Sequence, residues 1–143
     1  MTKKQWLFSF SGRISRSRYW LWILIYYAVL AGAMALANMA GGGAKVLSIL
    51  AALALMYPDM AVQAKRWHDR NKSSWWLLLN VPLFAGRVLV PTSAPMGMTY
   101  QPTSLESAVS LVALVCGAWI LIECGFLKGK PEANQYGEAV VKD

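Results

Sequence analysis

The run YWLWILIYYAVLAGAMALANMA, Tyr19–Ala40, constrains the fold more than any other part of the chain. It holds 22 residues and no charge. As a helix it reaches about 33 Å, enough to cross the hydrocarbon core of a bilayer. Composition agrees with a lipid solvent: 57% of the 143 residues are apolar and 15% are charged, against about 45–50% and about 25% in soluble domains. Eighteen residues precede the run and more apolar sequence follows it. It therefore reads as an uncleaved first span, not a signal peptide.

Three more apolar segments follow. Gly41, Gly42 and Gly43 break the first helix, and a second runs over about 46–65 with Pro58 inside it, where a kink is expected. The third, about 75–91, is short and carries Asn80, Pro82 and Arg87; it reads as a short span or a re-entrant segment. The fourth, about 105–127, holds Glu106 and Glu123, and Thr103 with Glu106 fits a capping box at its start. A polar tail, 128–143, completes a single membrane domain over 1–143. Alanine and glycine four apart (Ala28 and Gly32, Ala33 and Ala37, Ala113 and Gly117) suit close helix approach.

Charge orients the spans. If all four cross, Lys3, Lys4, Arg13, Arg16, Arg18, Lys65, Arg66, Arg70, Lys72, Lys128, Lys130 and Lys142 fall on one side. Lys45 alone lies in a loop on the other, and Arg87 lies within a span. Cytoplasmic loops collect Lys and Arg, so the expected fold is an all-α membrane protein: four transmembrane helices in an antiparallel bundle, both termini cytoplasmic. Trp20 and Trp22 open the first span and Trp75 and Trp76 the third, where indole rings favour the headgroup level.

Polar chemistry concentrates in QAKRWHDRNKSSWW, Gln63–Trp76. Lys65 and Arg66 suit a helix C-terminus, Asn71 a left-handed turn, and Ser73 or Ser74 a helix cap. Asp59, Gln63 and Arg66 share one helix face. Asp59 and Glu123 both lie in the cytoplasmic half of the membrane. Carboxylates facing lipid are unfavourable, so both acids are expected to face the interior and pair among Arg13, Arg16, Arg66 and His68. Arg87 and Glu106 form a second expected pair near the outer face.

GRISRSRYW (Gly12–Trp20), KRWHDRNKSSWW (Lys65–Trp76) and ANQYG (Ala133–Gly137) together resemble the bacterial inner-membrane family called domain of unknown function 805. That family shows a GR-x-x-R-x-x-YW-like start, an RRLHD-x-G-x-SGWW-like centre and a PNRYG-type tail. The resemblance implies an inner-membrane location and marks Gly12, Arg13, Arg16, Tyr19, Trp20, Arg66, His68, Asp69, Ser73, Trp75 and Trp76. Here Lys65 stands for the first arginine of the centre, Trp67 for the leucine, and Asn71 and Ser74 for its two glycines. The resemblance supplies no reaction.

Enzyme chemistry finds little support. One histidine and two cysteines, Cys116 and Cys124, do not have zinc spacing, and the cysteines read as apolar filler. His68 and Asp69 are adjacent on a helix and point apart. No nucleophile elbow or phosphate loop is present. Neither a metal nor a cofactor is expected. The net charge of +7 flanks apolar runs instead of covering a soluble face, which points to membrane lipid and away from nucleic acid. Two functions follow. The first is an interaction or structural module whose basic, Trp-rich face binds anionic headgroups or a membrane-protein partner. The second is a small oligomeric transporter or channel using Asp59, Arg87 and Glu123.

Overall fold

The structure is a computed structural model that describes residues 2–39, 41, 43–89 and 101–140. A short helix, α1 (Lys3–Phe8), is followed by α2 (Arg16–Met39), α3 (Ala44–Asp69), α4 (Asn80–Leu89) and α5 (Ser104–Ile120). A 3-10 turn, Ser74–Leu79, leads into α4, and α5 continues as a π-helical turn over Leu121–Phe126. Glycine sets the chain reversals: Gly12, Gly41 and Gly43 have φ of 95°, 91° and 79°, a region that strains other residues. Asn71, φ 61°, turns the chain after α3 as its short polar side chain permits.

Three helical stretches are long and apolar enough to cross a membrane: Arg16–Met39, Val46–Asp69 and Ser104–Phe126. Their outward faces carry large exposed apolar side chains, among them Leu24, Leu36, Leu50, Leu111 and Leu114. In water such a surface would aggregate; acyl chains solvate it. Helices suit this solvent because each satisfies its own backbone.

The element boundaries correct the sequence reading at several places. The second span does not stop at Lys65: α3 runs through Pro58 to Asp69 and begins at Ala44, so Lys45 lies in its first turn, not in a loop. The third segment is a 3-10 turn joined to ten residues of α-helix, and Ser74–Leu89 is shorter than the three spans. The expected ends at Ala40 and Pro91, and the tail's last three residues, lie outside the described residues.

Packing concentrates at one end. Ile14, Tyr19, Trp22, Val62, Trp67, Ile120 and Cys124 form the buried core, drawn from the linker after α1, the start of α2, the end of α3 and the end of α5. Helices α4 and α5 pack through small residues: a Cβ on Gly86 would touch Ala113, and one on Gly117 would press Leu83 at 3.2 Å. A Cβ on Gly32 would meet nothing within 4 Å among the described residues, so Gly32 is no point of close helix approach among them.

Candidate functional site

The last turn of α3 puts Lys65, Arg66 and Asp69 into the protein interior, where they are 0%, 0% and 2% exposed. Such charges persist in a dry site only when each finds charge or hydrogen-bond partners. Asp69 is held from two sides, by Arg13 Nη2 at 2.8 Å and Arg66 Nη1 at 2.7 Å. Arg13 comes from the stretch after Gly12, so this ion triad ties the start of the chain to the end of α3. Lys65 donates its ammonium to the carbonyls of Gln5 and Trp6 in the last turn of α1, which a helix leaves open, and to that of the following Ser9.

The remaining donors serve the other chain end. A helix C-terminus leaves four carbonyls without intrahelical donors. Here Arg66 Nε reaches Cys124 O at 2.6 Å, Trp20 Nε1 reaches Gly125 O at 2.9 Å, Arg16 Nη1 reaches Phe126 O at 2.9 Å, and Arg66 Nη2 reaches Leu127 O at 3.0 Å. Arg70 Nη1 continues to Lys128 O, while Arg13 takes Lys130 O and Glu132 O. The π turn buries Glu123, Cys124 and Gly125, and a Cβ on Gly125 would press the Trp20 ring at 2.9 Å. The arginines of the two sequence motifs thus act as donors that fasten residues 124–132 to the bundle.

Glu123 faces inward, but its partners differ from those expected. Arg70 Nε and Lys72 Nζ hold its carboxylate at 3.0 and 2.9 Å, in place of Arg13, Arg16, Arg66 or His68. The turn at Asn71 swings Arg70 and Lys72 back over the end of α5. Lys72 also sits 4.8 Å from the centre of the Trp76 ring.

His68 binds neither acid. Its Nδ1 lies 3.2 Å from Gly12 O and its Nε2 lies 3.0 Å from Ser74 Oγ. The carbonyl fixes the proton on Nδ1, so Nε2 accepts from the serine hydroxyl. A serine–histidine contact is chemically capable of base-assisted attack. However, Ser74 occupies a position where the resembled pattern has glycine, so the contact is no part of the shared motif. Ser73 stands at the cap position of the 3-10 turn without a side-chain cap bond, which corrects its expected capping role.

The tail completes the knot. Tyr136 stacks on His68 with ring centres 3.9 Å apart and planes 3° apart, and Asn134 Nδ2 donates to His68 O at 2.9 Å. Tyr136→Ala removes an aromatic pair of about 0.5–1.5 kcal/mol. Faster hydrogen exchange over 130–138 is expected, with unchanged exchange in α2; equal exchange in the tail would show that the stack does not hold it.

Further from the knot, Asp59 also departs from expectation. Among the described residues no basic side chain forms an ion pair with it: Trp22 Nε1 donates to Oδ1 and Gln63 Nε2 to Oδ2, both at 2.8 Å. Trp22 is accordingly 2% exposed and is not an interface ring, unlike Trp20 and Trp75, which are exposed. Gln63 and Asn80 exchange amide hydrogen bonds at 2.9 and 3.1 Å, joining α3 to α4. Asp59, Gln63, Asn80 and Arg87 line one cavity of about 320 Å³ between the helices. Arg87 lies 5.9 Å from the Tyr26 ring and makes no ion pair with Glu106. Glu106 instead closes the Thr103 capping box, a local alternative on a different helix.

Sequence reasoning did not find Trp22, Gln63 and Asn80 as partners, nor Gly125 and Gly129 as contact points. Asn80 carried a signal, being a lone amide within an apolar segment. Among the described residues, no three His, Cys, Asp or Glu side chains gather at one place as a metal site would need.

The comparisons with known proteins fit this architecture. The chain is 33% identical over 142 residues to the "Uncharacterized protein YiiR" of Escherichia coli (strain K12), covering 96% of this chain and 90% of that protein. It is 33% identical over 85 residues to the "Inner membrane protein YhaH" and 37% identical over 82 residues to the "Inner membrane protein YhaI" of the same strain. Each of those matches covers 57% of this chain and 70% of the relative. No solved structure matches it. The family described as "Protein of unknown function (DUF805)" matches residues 7–138, which contain both arginine motifs, all three long apolar helices and the docked tail; the chain belongs to that family.

Proposed function

We propose that the chain is a multi-pass interaction module of the inner membrane, both termini cytoplasmic, whose outward basic and tryptophan rim engages anionic lipid headgroups. The observation that carries this reading is how the cations divide. Arg13, Lys65 and Arg66 are buried and engaged with protein acceptors. Lys3, Lys4, Arg18, Lys128 and Lys130 are exposed, on the segments that meet at the knot, where Trp20 and Trp75 are exposed too. Five cations beside interfacial indoles suit a charged leaflet, at about 1 kcal/mol each.

The path of the chain supports the topology. The end of α5 meets the start of α2 and the end of α3 through Arg66, Arg16 and Trp20. To enter α5 from its other end, the chain must first travel away from the knot, and Ser74–Leu89 is the segment that leaves it. That path favours reading Ser74–Leu89 as a fourth crossing, with both termini on the Lys- and Arg-rich side.

Replacing the five exposed cations with glutamine tests the lipid reading. In detergent, the wild-type protein is expected to gain thermal stability from phosphatidylglycerol and not from phosphatidylcholine. The five-fold variant is expected to fold and lose that difference. Equal response of the wild-type protein to both lipids rejects the reading.

A transport reading is favoured at one place only. Glu123 is neutralised by two cations and belongs to the knot. Asp59 and Arg87 line the cavity without an ion pair.

A further inference from the structure

The cavity between the helices has a charge of each sign on its wall. Asp59 comes from α3 and Arg87 from α4. Among the described residues, ion pairs join Arg13 and Arg66 to Asp69, and Arg70 and Lys72 to Glu123; neither Asp59 nor Arg87 takes part in one. Asp59 is held by two neutral donors, an indole and an amide. An ionised carboxylate accepts at about four sites, so it keeps capacity for a cationic donor. The Arg87 guanidinium has five donors, and Tyr26 occupies only part of that capacity.

Depth makes this arrangement costly. Asp59 lies ten residues before the end of α3, about 15 Å along the helix axis and well inside the apolar stretch Val46–Asp69. Charges at that depth face inward and find partners. The two side chains line one space without a direct ion pair between them, and the Arg87 charge reaches Asp59 only across that space, so an occupant carrying both charges can bridge them.

We propose that this cavity binds a small zwitterion, with the ligand's ammonium on Asp59 and its carboxylate or phosphate on Arg87. A simple cation would leave Arg87 uncompensated, and a simple anion would leave Asp59 so. Arginine's fork matches carboxylate and phosphate oxygens in pairs. The remaining wall is apolar, including Ile23, Met56, Leu83 and Phe84, and fits the carbon skeleton between the charged ends. The volume of about 320 Å³ falls at the small end of ligand sites.

The same chemistry exists free in solution and on a lipid headgroup. An open groove between α4 and α5, lined by Gly86, Ala113 and Leu114, shares Leu83, Arg87 and Gly117 with the cavity. It offers an apolar path for an acyl chain leading away from the charged pair.

The test uses the full chain in detergent, with binding followed by thermal shift and native mass spectrometry. The probes are phosphatidylethanolamine, soluble phosphoethanolamine, alanine as a free amino acid, phosphatidylglycerol, and ethanolamine or phosphate alone. Saturable stabilisation by at least one zwitterion is expected, and not by ethanolamine or phosphate alone. Response to the lipid alone identifies a headgroup; response to a soluble probe identifies a free solute. Asp59→Asn and Arg87→Gln are each expected to weaken binding at least about tenfold, the scale of one lost charged contact. Should either variant fail to fold, Arg87→Lys, which keeps the charge and loses the fork, is expected to fold and bind several-fold more weakly. The variant lacking the five exposed cations is expected to keep the response, which separates this site from the lipid rim. No zwitterion response, or unchanged affinity in the folded variants, overturns the proposal.

Discussion

Arg66→Ala is expected to remove most folded protein from detergent extracts. The guanidinium is fully buried and donates to Cys124 O, Ile14 O, Asp69 Oδ2 and Leu127 O, all within 3.0 Å. Those acceptors come from the end of α5, the segment before α2, and α3 itself. Truncation leaves three carbonyls and one carboxylate oxygen without that donor, in a site closed to solvent. A buried acceptor left unmade costs about 1–3 kcal/mol, and removing one partner of a buried ion pair about 3–5 kcal/mol. A fold of this size is stable by about 5–15 kcal/mol in total, so the loss takes a large share even if the carbonyls partly relax.

Arg66→Lys separates charge from geometry. Lysine keeps the cation but carries it as a point with three donors, not a planar fork. It is expected to keep part of the tie to Asp69 and lose the outlying carbonyls, giving stability between wild type and alanine. Lys128→Ala, on an exposed side chain, serves as a control and is expected to change stability by no more than about 0.5 kcal/mol. Size-exclusion of heated extracts reads all three. A midpoint for Arg66→Ala within about 2 °C of wild type would falsify the account.

The membrane helices were legible because they need no tertiary information. Twenty-two uncharged residues, Tyr19–Ala40, demand a lipid solvent whatever they pack against. The end of α3 was not. Lys65 and Arg66 read as the basic end of a helix that stops at about Lys65, with Arg66 a partner for Asp59 or Glu123. In the structure, carbonyls of α1, the linker before α2 and the end of α5 take water's place.

The ion pairs failed for a related reason. Helical spacing puts Asp59, Gln63 and Arg66 on one side of α3, but it does not say which neighbouring helix lies there. Gln63 turned out to be Asp59's partner and Arg66 to be Asp69's. Glu123 was legible as an acid near a basic end. Its pairing with Arg70 and Lys72 depends on the turn at Asn71, which sequence suggests, and on the approach of α5, which sequence does not encode locally. Tyr136 and Asn134 were visible only through the family resemblance, since nothing in a polar tail announces a docking site.

Gly129→Ala is expected to destabilise the protein and release its tail, although it deletes no side chain. A Cβ at this position would lie 2.6 Å from Asp69 Oδ1 and overlap the rest of that carboxylate. The backbone is pinned beside it: Lys130 N donates to Asp69 O at 2.8 Å, and Arg13 holds Lys130 O at 2.6 Å. Something must move, and the two choices differ in consequence. If the carboxylate moves, Arg13 and Arg66 lose their shared anion, and the cost approaches that of breaking a buried pair, about 3–5 kcal/mol. If the tail moves, Asp69 keeps its arginines but Arg13 loses the carbonyls of Lys130 and Glu132, and the Tyr136 stack opens. The second route costs less, since the tail is held at its edge and the ion triad at the centre of the knot. Gly129→Ala is therefore expected to lower stability by about 2–3 kcal/mol, within the range for overpacked sites, and to expose 128–138 to protease with the helices intact. Gly32→Ala, with open space around it, is expected to leave both readouts unchanged. A protease-resistant tail and wild-type stability in Gly129→Ala would mean that the chain does not lie against Asp69 at all.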